Sequence, residues 1–334
     1  MRIGLAGVGR IGAFHADTLR QLHQVESLVL ADADADRAAG VAARLGVEAV
    51  DHPDELFRAG IDGLVIAAAT DAHAALIIRA ADAGLPAFCE KPVAPDTAGT
   101  LAVLDRVEQT GVPVHIGFQR RFDAGYLAAR EAVQSGRLGW VHTLRAGTLD
   151  PAPPPAEYVP RSGGLFRDCG VHDFDIIRWV SGREVVEVYA VGTNRGEEFF
   201  RAAGDVDTAA AMLTLDDDTL ALVSATRYNA AGYDVRLEVL GAKDSVSVGL
   251  DDRLPLRSAE PGVPWPAGTP YPHFMDRFHA AYVAELAAFT GVVAGTAPSP
   301  CTVRDALEAF YVAEACERSR REHRPVTLAE VRAR

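Results

Sequence analysis

Ile3-Gly4-Leu5-Ala6-Gly7-Val8-Gly9-Arg10-Ile11-Gly12 is the stretch on which the fold turns. The apolar run Ile3–Ala6 reads as a strand. It ends in G-x-G-x-x-G where an apolar spacing near 3.6 begins, over Ile11–Leu22. In that context each glycine has its own task. The first permits a tight turn, the second lets the backbone approach a pyrophosphate, and the third lets helix and strand pack closely. The helix N-terminus then presents unpaired N–H groups to phosphate. Gly7, Gly9, Arg10, Ile11 and Gly12 are therefore the candidate dinucleotide loop.

The same rhythm continues outward. Apolar runs Ser27–Ala31, Gly63–Ala67, Ala87–Cys89 and Val114–Gly117 alternate with helical patterns over Asp34–Leu45, Ala72–Ala83 and Thr97–Thr110. Continuous apolar strands separated by helices imply a parallel sheet buried on both faces, the doubly wound arrangement. Gly84 and Gly111 fall just past helix ends, where glycine relieves the left-handed turn.

Ligands of such sheets bind at the carboxyl ends of the strands. Asp32 ends the second strand, 20 residues after Gly12. A carboxylate there accepts hydrogen bonds from a ribose diol and repels a 2′-phosphate. NAD is thus favoured over NADP, although Arg37 lies nearby. Ala69, Thr70 and His73 follow the next long strand and border the same crevice, with Thr70 or Asp71 as a plain helix cap the alternative. Glu90-Lys91-Pro92 closes a further strand. Lys91 is one of only two lysines among 33 basic residues. A desolvated lysine can titrate near neutral pH, which arginine cannot. At a strand end it suits polarisation of a substrate oxygen; an ordinary ion-paired lysine is the competing reading.

After about residue 120 the pattern changes. A helix (Ala124–Gln134), a strand (Val141–Thr148), a proline-rich loop and a helix (Leu165–Ser181) precede strand candidates Glu184–Val191, Thr208–Leu215, Thr219–Thr226 and Val235–Leu240. Tight turns at Asp216–Asp217 and Gly241–Ala242 make this a mostly antiparallel sheet. Two late helices, His273–Val293 and Thr302–Arg320, close the chain. The expected division is residues 1–120 for cofactor and 121–334 for substrate and oligomer contacts, the last helices packing back on the first domain. Within the second half, Asp168 and His172 stand at i and i+4 of the helix reading, with Asp175 on the same side. A histidine whose tautomer a carboxylate sets is a candidate general base; a structural pair is the alternative.

Composition excludes several classes. A formal charge of −13 leaves no basic face for nucleic acid. With no run of 18 apolar residues, no membrane span is expected. The start of the chain carries no charged leader, so a cytoplasmic location is expected. The four cysteines have no metal spacing; reduced, mostly buried thiols and no metal are expected.

The glycine motif, Glu90-Lys91-Pro92, Gly117-Phe118-Gln119-Arg120-Arg121-Phe122-Asp123 and Asp168-x-x-x-His172-Asp-x-Asp175 occur in this order. Together they resemble the Gfo/Idh/MocA oxidoreductases nearly end to end, inositol 2-dehydrogenases especially. The resemblance implies a second α/β domain around a large, mostly antiparallel open sheet, whose face often builds dimers or tetramers. It implies Lys91, Asp168 and His172 as catalytic trio, with Glu90 beside the cofactor and Arg120, Asp150, Cys169 and Tyr233 as substrate contacts. The implied reaction is NAD-dependent oxidation of a secondary alcohol on a cyclic polyol or sugar. A keto-sugar reductase, a glycoside 3-dehydrogenase and a non-catalytic ligand sensor are the alternatives. Cys169 departs from the threonine common in inositol dehydrogenases, and Leu149 stands where a polar residue is frequent; both leave the substrate open.

Overall fold

The computed structural model describes residues 1–333, which form two compact units: Met1–Gln119 with Tyr282–Leu307, and Arg120–Ala281 with Glu308 onward.

Unit 1 opens with β1 (Arg2–Ala6), α1 (Arg10–Gln21), β2 (Ser27–Ala31), α2 (Ala35–Leu45), β3 (Glu48–Ala49), α3 (Pro53–Leu56) and β4 (Gly63–Ile66). It continues through α4 (Thr70–Asp82), β5 (Ala87–Glu90), α5 (Thr97–Thr110) and β6 (Val114–Gly117). All strand pairings are parallel, in the order β3-β2-β1-β4-β5-β6. The order reverses beside β1, so the crevice opens between β1 and β4, where the glycine turn emerges. Ile3, Leu5, Leu28, Leu30, Val65 and Phe88 form the core with Ala16 and Leu19 of α1 and with Leu286, Phe289 and Val292. The two-residue β3 has both side chains exposed and no apolar signal, so sequence patterning does not reveal it.

Unit 2 contains α6 (Ala124–Gln134), β7 (Val141–Leu149), α7 (Val171–Ser181), β8 (Val185–Thr193), α8 (Glu198–Ala202), β9 (Thr208–Leu215), β10 (Leu220–Thr226), β11 (Asp234–Gly241) and β12 (Ser245–Val248). Five late elements follow: α9 (Phe274–Arg277), α10 (His279–Val293) and α11 (Val303–Glu322), each of the last two divided between the units, then β13 (Val326–Thr327) with α12 (Leu328–Arg332). The seven-stranded sheet runs β12-β11-β7-β10-β9-β8-β13 and is antiparallel except where β7 meets β10. Thus the doubly wound parallel sheet and the large, mostly antiparallel open sheet are both present.

Two helices differ from their sequence reading. The expected helix over Leu165–Ser181 begins with a π-helical turn, Phe166–Gly170, before α7. The expected helix over His273–Val293 breaks at Phe278, which leaves helical angles (φ −110°, ψ 17°) to bury its ring completely. On the sheet, Leu144, Val223, Leu213 and Val239 are buried on one face. The other face exposes Tyr189, Met212, Leu220 and Leu222, with Met212 in register between Tyr189 and Leu222.

Candidate active site

In unit 1 the glycine turn has the geometry its sequence implies. Gly7 adopts φ +93°, and a Cβ there would lie 2.5 Å from the Ala68 backbone. A Cβ on Gly12 would sit 2.0 Å from the Gly7 carbonyl oxygen. Gly9 is different: a Cβ on it would meet nothing within 4 Å. The space above Gly9 is open, and α1 starts there with no side-chain cap on its first-turn amides. An uncapped N-terminus beside an open cradle fits a pyrophosphate.

Asp32 is buried at the end of β2 and braces this turn. Its Oδ2 accepts from Val8 N–H at 2.7 Å, and its Oδ1 accepts from Asp34 N–H at 3.0 Å and from the Arg37 guanidinium at 3.1 Å. Arg37 is half-exposed and also pairs with Asp34. Arg10 is exposed at the first position of α1, and Ile11 is half-buried behind it.

Three expectations need correction. Ala69, not Thr70 or Asp71, precedes the first turn of α4, and no side chain caps it. His73 is 2% exposed, with Nδ1 2.7 Å from the Pro92 carbonyl and Nε2 3.0 Å from the Ala68 carbonyl. Both ring nitrogens are thus within hydrogen-bond distance of backbone carbonyls, one beyond each strand end. Glu90 turns its carboxylate to His15 on α1, Oε1 lying 2.6 Å from Nε2. His15 is fully buried and sequence reasoning missed it, although it lies one turn after Gly12 on the glycine-motif helix. Lys91, the next residue, is partly buried, and its peptide bond to Pro92 is cis.

Unit 2 places its candidates on a lattice of arginine–aspartate pairs. Arg120, expected to touch substrate, is 1% exposed and donates to Asp173 Oδ1 at 2.5 Å and Thr148 Oγ1 at 2.8 Å. Thr148 in turn donates to Asp173 Oδ2 at 2.7 Å. Burial disfavours the Arg120 charge, but Asp173 together with the Tyr126 and Tyr233 phenols holds the guanidinium above its ordinary range. Arg120 is therefore tied to Asp173 and Thr148 within unit 2. Asp175, expected beside His172, instead binds Arg121 through both oxygens, at 2.5 and 2.9 Å. Tyr233 is buried, and burial pushes its hydroxyl well above the ordinary phenol range.

Asp168 and Asp150 both reach Arg227, a residue the sequence did not flag. Arg227 NH2 lies 2.6 Å from Asp168 Oδ2, and NH1 lies 2.9 Å from both Asp150 Oδ2 and Cys169 Sγ. Asp168 Oδ1 accepts from the Tyr158 hydroxyl at 3.0 Å, a second partner not foreseen. Asp168 lies in the π-helical turn and His172 in α7, so the i, i+4 relation does not pass along one α-helix. His172 is partly buried, whereas the adjacent Asp173 is fully buried. None of the four cysteines is in a disulfide, and all are buried. Among the described residues no cluster of histidine, cysteine and carboxylate side chains is arranged to hold a metal ion, and no helix is long and apolar enough to cross a membrane.

A parallel sheet in the order 3-2-1-4-5-6 with a glycine cradle defines a dinucleotide-dependent oxidoreductase. Residues 1–118 match the oxidoreductase family with an NAD-binding Rossmann fold, and residues 126–247 match the GFO/IDH/MocA C-terminal domain. The chain belongs to the Gfo/Idh/MocA oxidoreductase family. It is 40% identical to a myo-inositol dehydrogenase of Streptomyces leeuwenhoekii, over 96% of this chain and 97% of that one. Among solved structures, a myo-inositol dehydrogenase of Corynebacterium glutamicum is 35% identical with a TM-score of 0.90, covering 98% of each chain. A scyllo-inositol dehydrogenase of Lactobacillus casei, solved with NAD(H) and scyllo-inositol, is 29% identical with a TM-score of 0.89, covering 98% of this chain and 99% of that one.

Proposed function

We propose that this chain oxidises a secondary alcohol of a cyclic polyol, an inositol or close relative, to the ketone with NAD. The observation that carries the reading is the selective placement of polar groups in unit 2. Asp173 and Asp175 are sealed in ion pairs, whereas Asp150, Asp168 and His172 keep exposed surface.

Gly7, Gly9, Arg10, Ile11 and Gly12 would hold the pyrophosphate, with Asp32 at the ribose and Ala69, Thr70 and Lys91 along the strand ends. NAD, when bound, supplies the hydride acceptor. His172 takes the hydroxyl proton from the substrate as a general base. Lys91 binds and polarises the same oxygen, and Asp168 orders the histidine and accepts a neighbouring hydroxyl. Asp150 and Tyr233 supply further contacts beside Cys169. Several convergent polar groups suit discrimination among ring hydroxyls, since an unmatched buried polar group is costly. Reduction of a keto-sugar would use these residues in reverse.

Residues 1–120 are read as the cofactor region and 121–334 as the substrate and assembly region. The apolar open face of the sheet, with Tyr189, Met212, Leu220 and Leu222, supports a homo-oligomer, a dimer or tetramer. A cytoplasmic location is part of the same reading. The test is absorbance of reduced nicotinamide with purified protein, NAD or NADP, and a panel of inositol isomers and sugars. Turnover of one ring polyol with NAD is expected. Failure on every ring polyol, with turnover of an open-chain or non-polyol alcohol, overturns the substrate class.

A further inference from the structure

We infer that Arg227 is a positioning residue for substrate recognition: its single buried guanidinium fixes Asp150 and Asp168 as a pair of hydroxyl acceptors. The inference rests on the polyol reading above and adds to it a residue that touches no substrate.

The backbone brings the three side chains together. Leu149 of β7 pairs with Thr226 of β10 in parallel register, so Asp150 and Arg227 leave neighbouring strands side by side. Asp150 N–H donates to the Thr226 carbonyl at 2.9 Å, and Arg227 N–H donates to the Asp207 carbonyl at 2.8 Å, which fixes both strand exits. Asp168 arrives from the π-helical turn, a segment remote in sequence. Two terminal nitrogens of one planar group then meet two carboxylates, NH1 at 2.9 Å from Asp150 and NH2 at 2.6 Å from Asp168. A rigid planar fork sets the spacing and orientation of both acids at once, which a lysine ammonium does not. Its positive charge also screens the repulsion between two acids brought to one place.

Exposure distinguishes this cluster from a purely structural pair. In the Arg120–Asp173 and Arg121–Asp175 pairs the carboxylates are 0% and 1% exposed. Around Arg227 the order is inverted: the guanidinium is 5% exposed, Asp168 13% and Asp150 21%. The cation forms a floor and the acids form an accessible rim. A rim of two carboxylates can accept hydrogen bonds from two hydroxyls of one ring, and an arginine beneath them never competes as a hydroxyl partner of its own.

The experiment compares full-length wild type with Arg227→Gln and Arg227→Lys. Substrates are the inositol that wild type turns over best and its mono-deoxy derivatives, and NAD affinity is followed by protein fluorescence. Wild type should disfavour one deoxy derivative by about 30-fold in kcat/KM, the scale of one charged hydrogen bond. Arg227→Gln should lose about 100-fold on the full polyol but only a few-fold on that derivative, so discrimination collapses to under about threefold. The loss should fall on KM as well as kcat, NAD affinity should stay within about twofold, and Arg227→Lys should recover part of the discrimination. Equal losses on both substrates, or no loss on either, overturn the inference while leaving the polyol reading intact. If Arg227→Gln does not fold, Arg227→Lys carries the same comparison of discrimination. A wild type inactive on all ring polyols overturns the functional reading itself, and this inference with it.

Discussion

The glycine turn of unit 1 and the arginine–aspartate lattice of unit 2 are built on opposite principles. The turn works by leaving atoms out: Gly7 and Gly12 are bare because backbone lies 2.5 and 2.0 Å from where a Cβ would be, and Gly9 is bare over open space. The lattice works by pairing charges: Arg120 and Arg121 seal Asp173 and Asp175 away from bulk water, and the buried Arg227 holds Asp150 and Asp168, which stay partly exposed. The first strategy makes a site for any dinucleotide and costs only backbone entropy. The second is expensive to break, because a buried charge left alone has no solvent to turn to.

The comparison is broken most directly at Lys91, a charged side chain at a strand end of the unit that carries the glycine turn. Lys91→Ala should lower kcat by about a thousandfold, the scale of a positioned acid–base group, with NAD affinity changed less than about threefold. Steady-state kinetics beside fluorescence titration measures both, and undiminished turnover removes Lys91 from the chemistry. Next in size is the lattice itself. Asp173→Ala leaves the buried Arg120 guanidinium without its carboxylate, beside Thr148 and the Phe278 ring, and should cost about 3 kcal/mol of stability in urea unfolding. Replacing both partners, Arg120→Met with Asp173→Leu, should recover most of that loss, since two apolar groups need no partner. A single-variant loss under about 1 kcal/mol would show that the pair relaxes into water, against its burial.

How far each region could be read in the sequence follows from the same contrast. A glycine motif is local: ten consecutive residues contain the strand end, the turn and the helix start, so Gly7, Gly9 and Gly12 were legible, and Asp32 followed from the end of the next apolar run. The lattice is not. Arg227 lies 77 residues from Asp150 and 59 from Asp168, and no spacing rule joins them. Local reading also misassigned residues by assuming ideal helix geometry. Asp175 was set beside His172 on a helix face, but Arg121, 54 residues away, claims it. Arg120 and His73 carry the right chemistry for ligand contact, but their burial and partners within the protein have no local signal in the sequence. His15 was invisible because a lone histidine in a helix has no pattern until Glu90 stands 2.6 Å away. The two sheets were legible from period and turns, whereas β3 and β13, two residues each, and β12, four residues with one buried, were too short to register.

Within the glycine turn, two alanine variants separate packing from ligand space. Gly12→Ala places its methyl against the Gly7 carbonyl and should cost about 2 kcal/mol, the usual scale of overpacking. Gly9→Ala meets no protein atom and should leave stability within about 0.5 kcal/mol, while NAD affinity falls. Chemical unfolding with and without NAD tests the pair. Equal stability losses would mean that Gly9 serves the fold alone.

Asp32 gives the sharpest test of cofactor identity, because its carboxylate braces the turn and is also the proposed ribose contact. Oδ2 holds Val8 N–H and Oδ1 holds Asp34 N–H, so Asp32→Ala disturbs the turn as well as the ribose contact. Asp32→Asn keeps one acceptor oxygen and nearly the same shape but removes the charge that repels a 2′-phosphate. It also releases Arg37, whose guanidinium lies 3.1 Å from Oδ1 and can then meet that phosphate. The ratio of kcat/KM for NAD to that for NADP should therefore fall about tenfold in Asp32→Asn, a change of about 1.4 kcal/mol in relative transition-state binding. Adding Arg37→Ala to that variant should restore part of the ratio by weakening NADP. If the ratio does not move, Asp32 is a brace of the glycine turn only, and the cofactor preference resides elsewhere in unit 1.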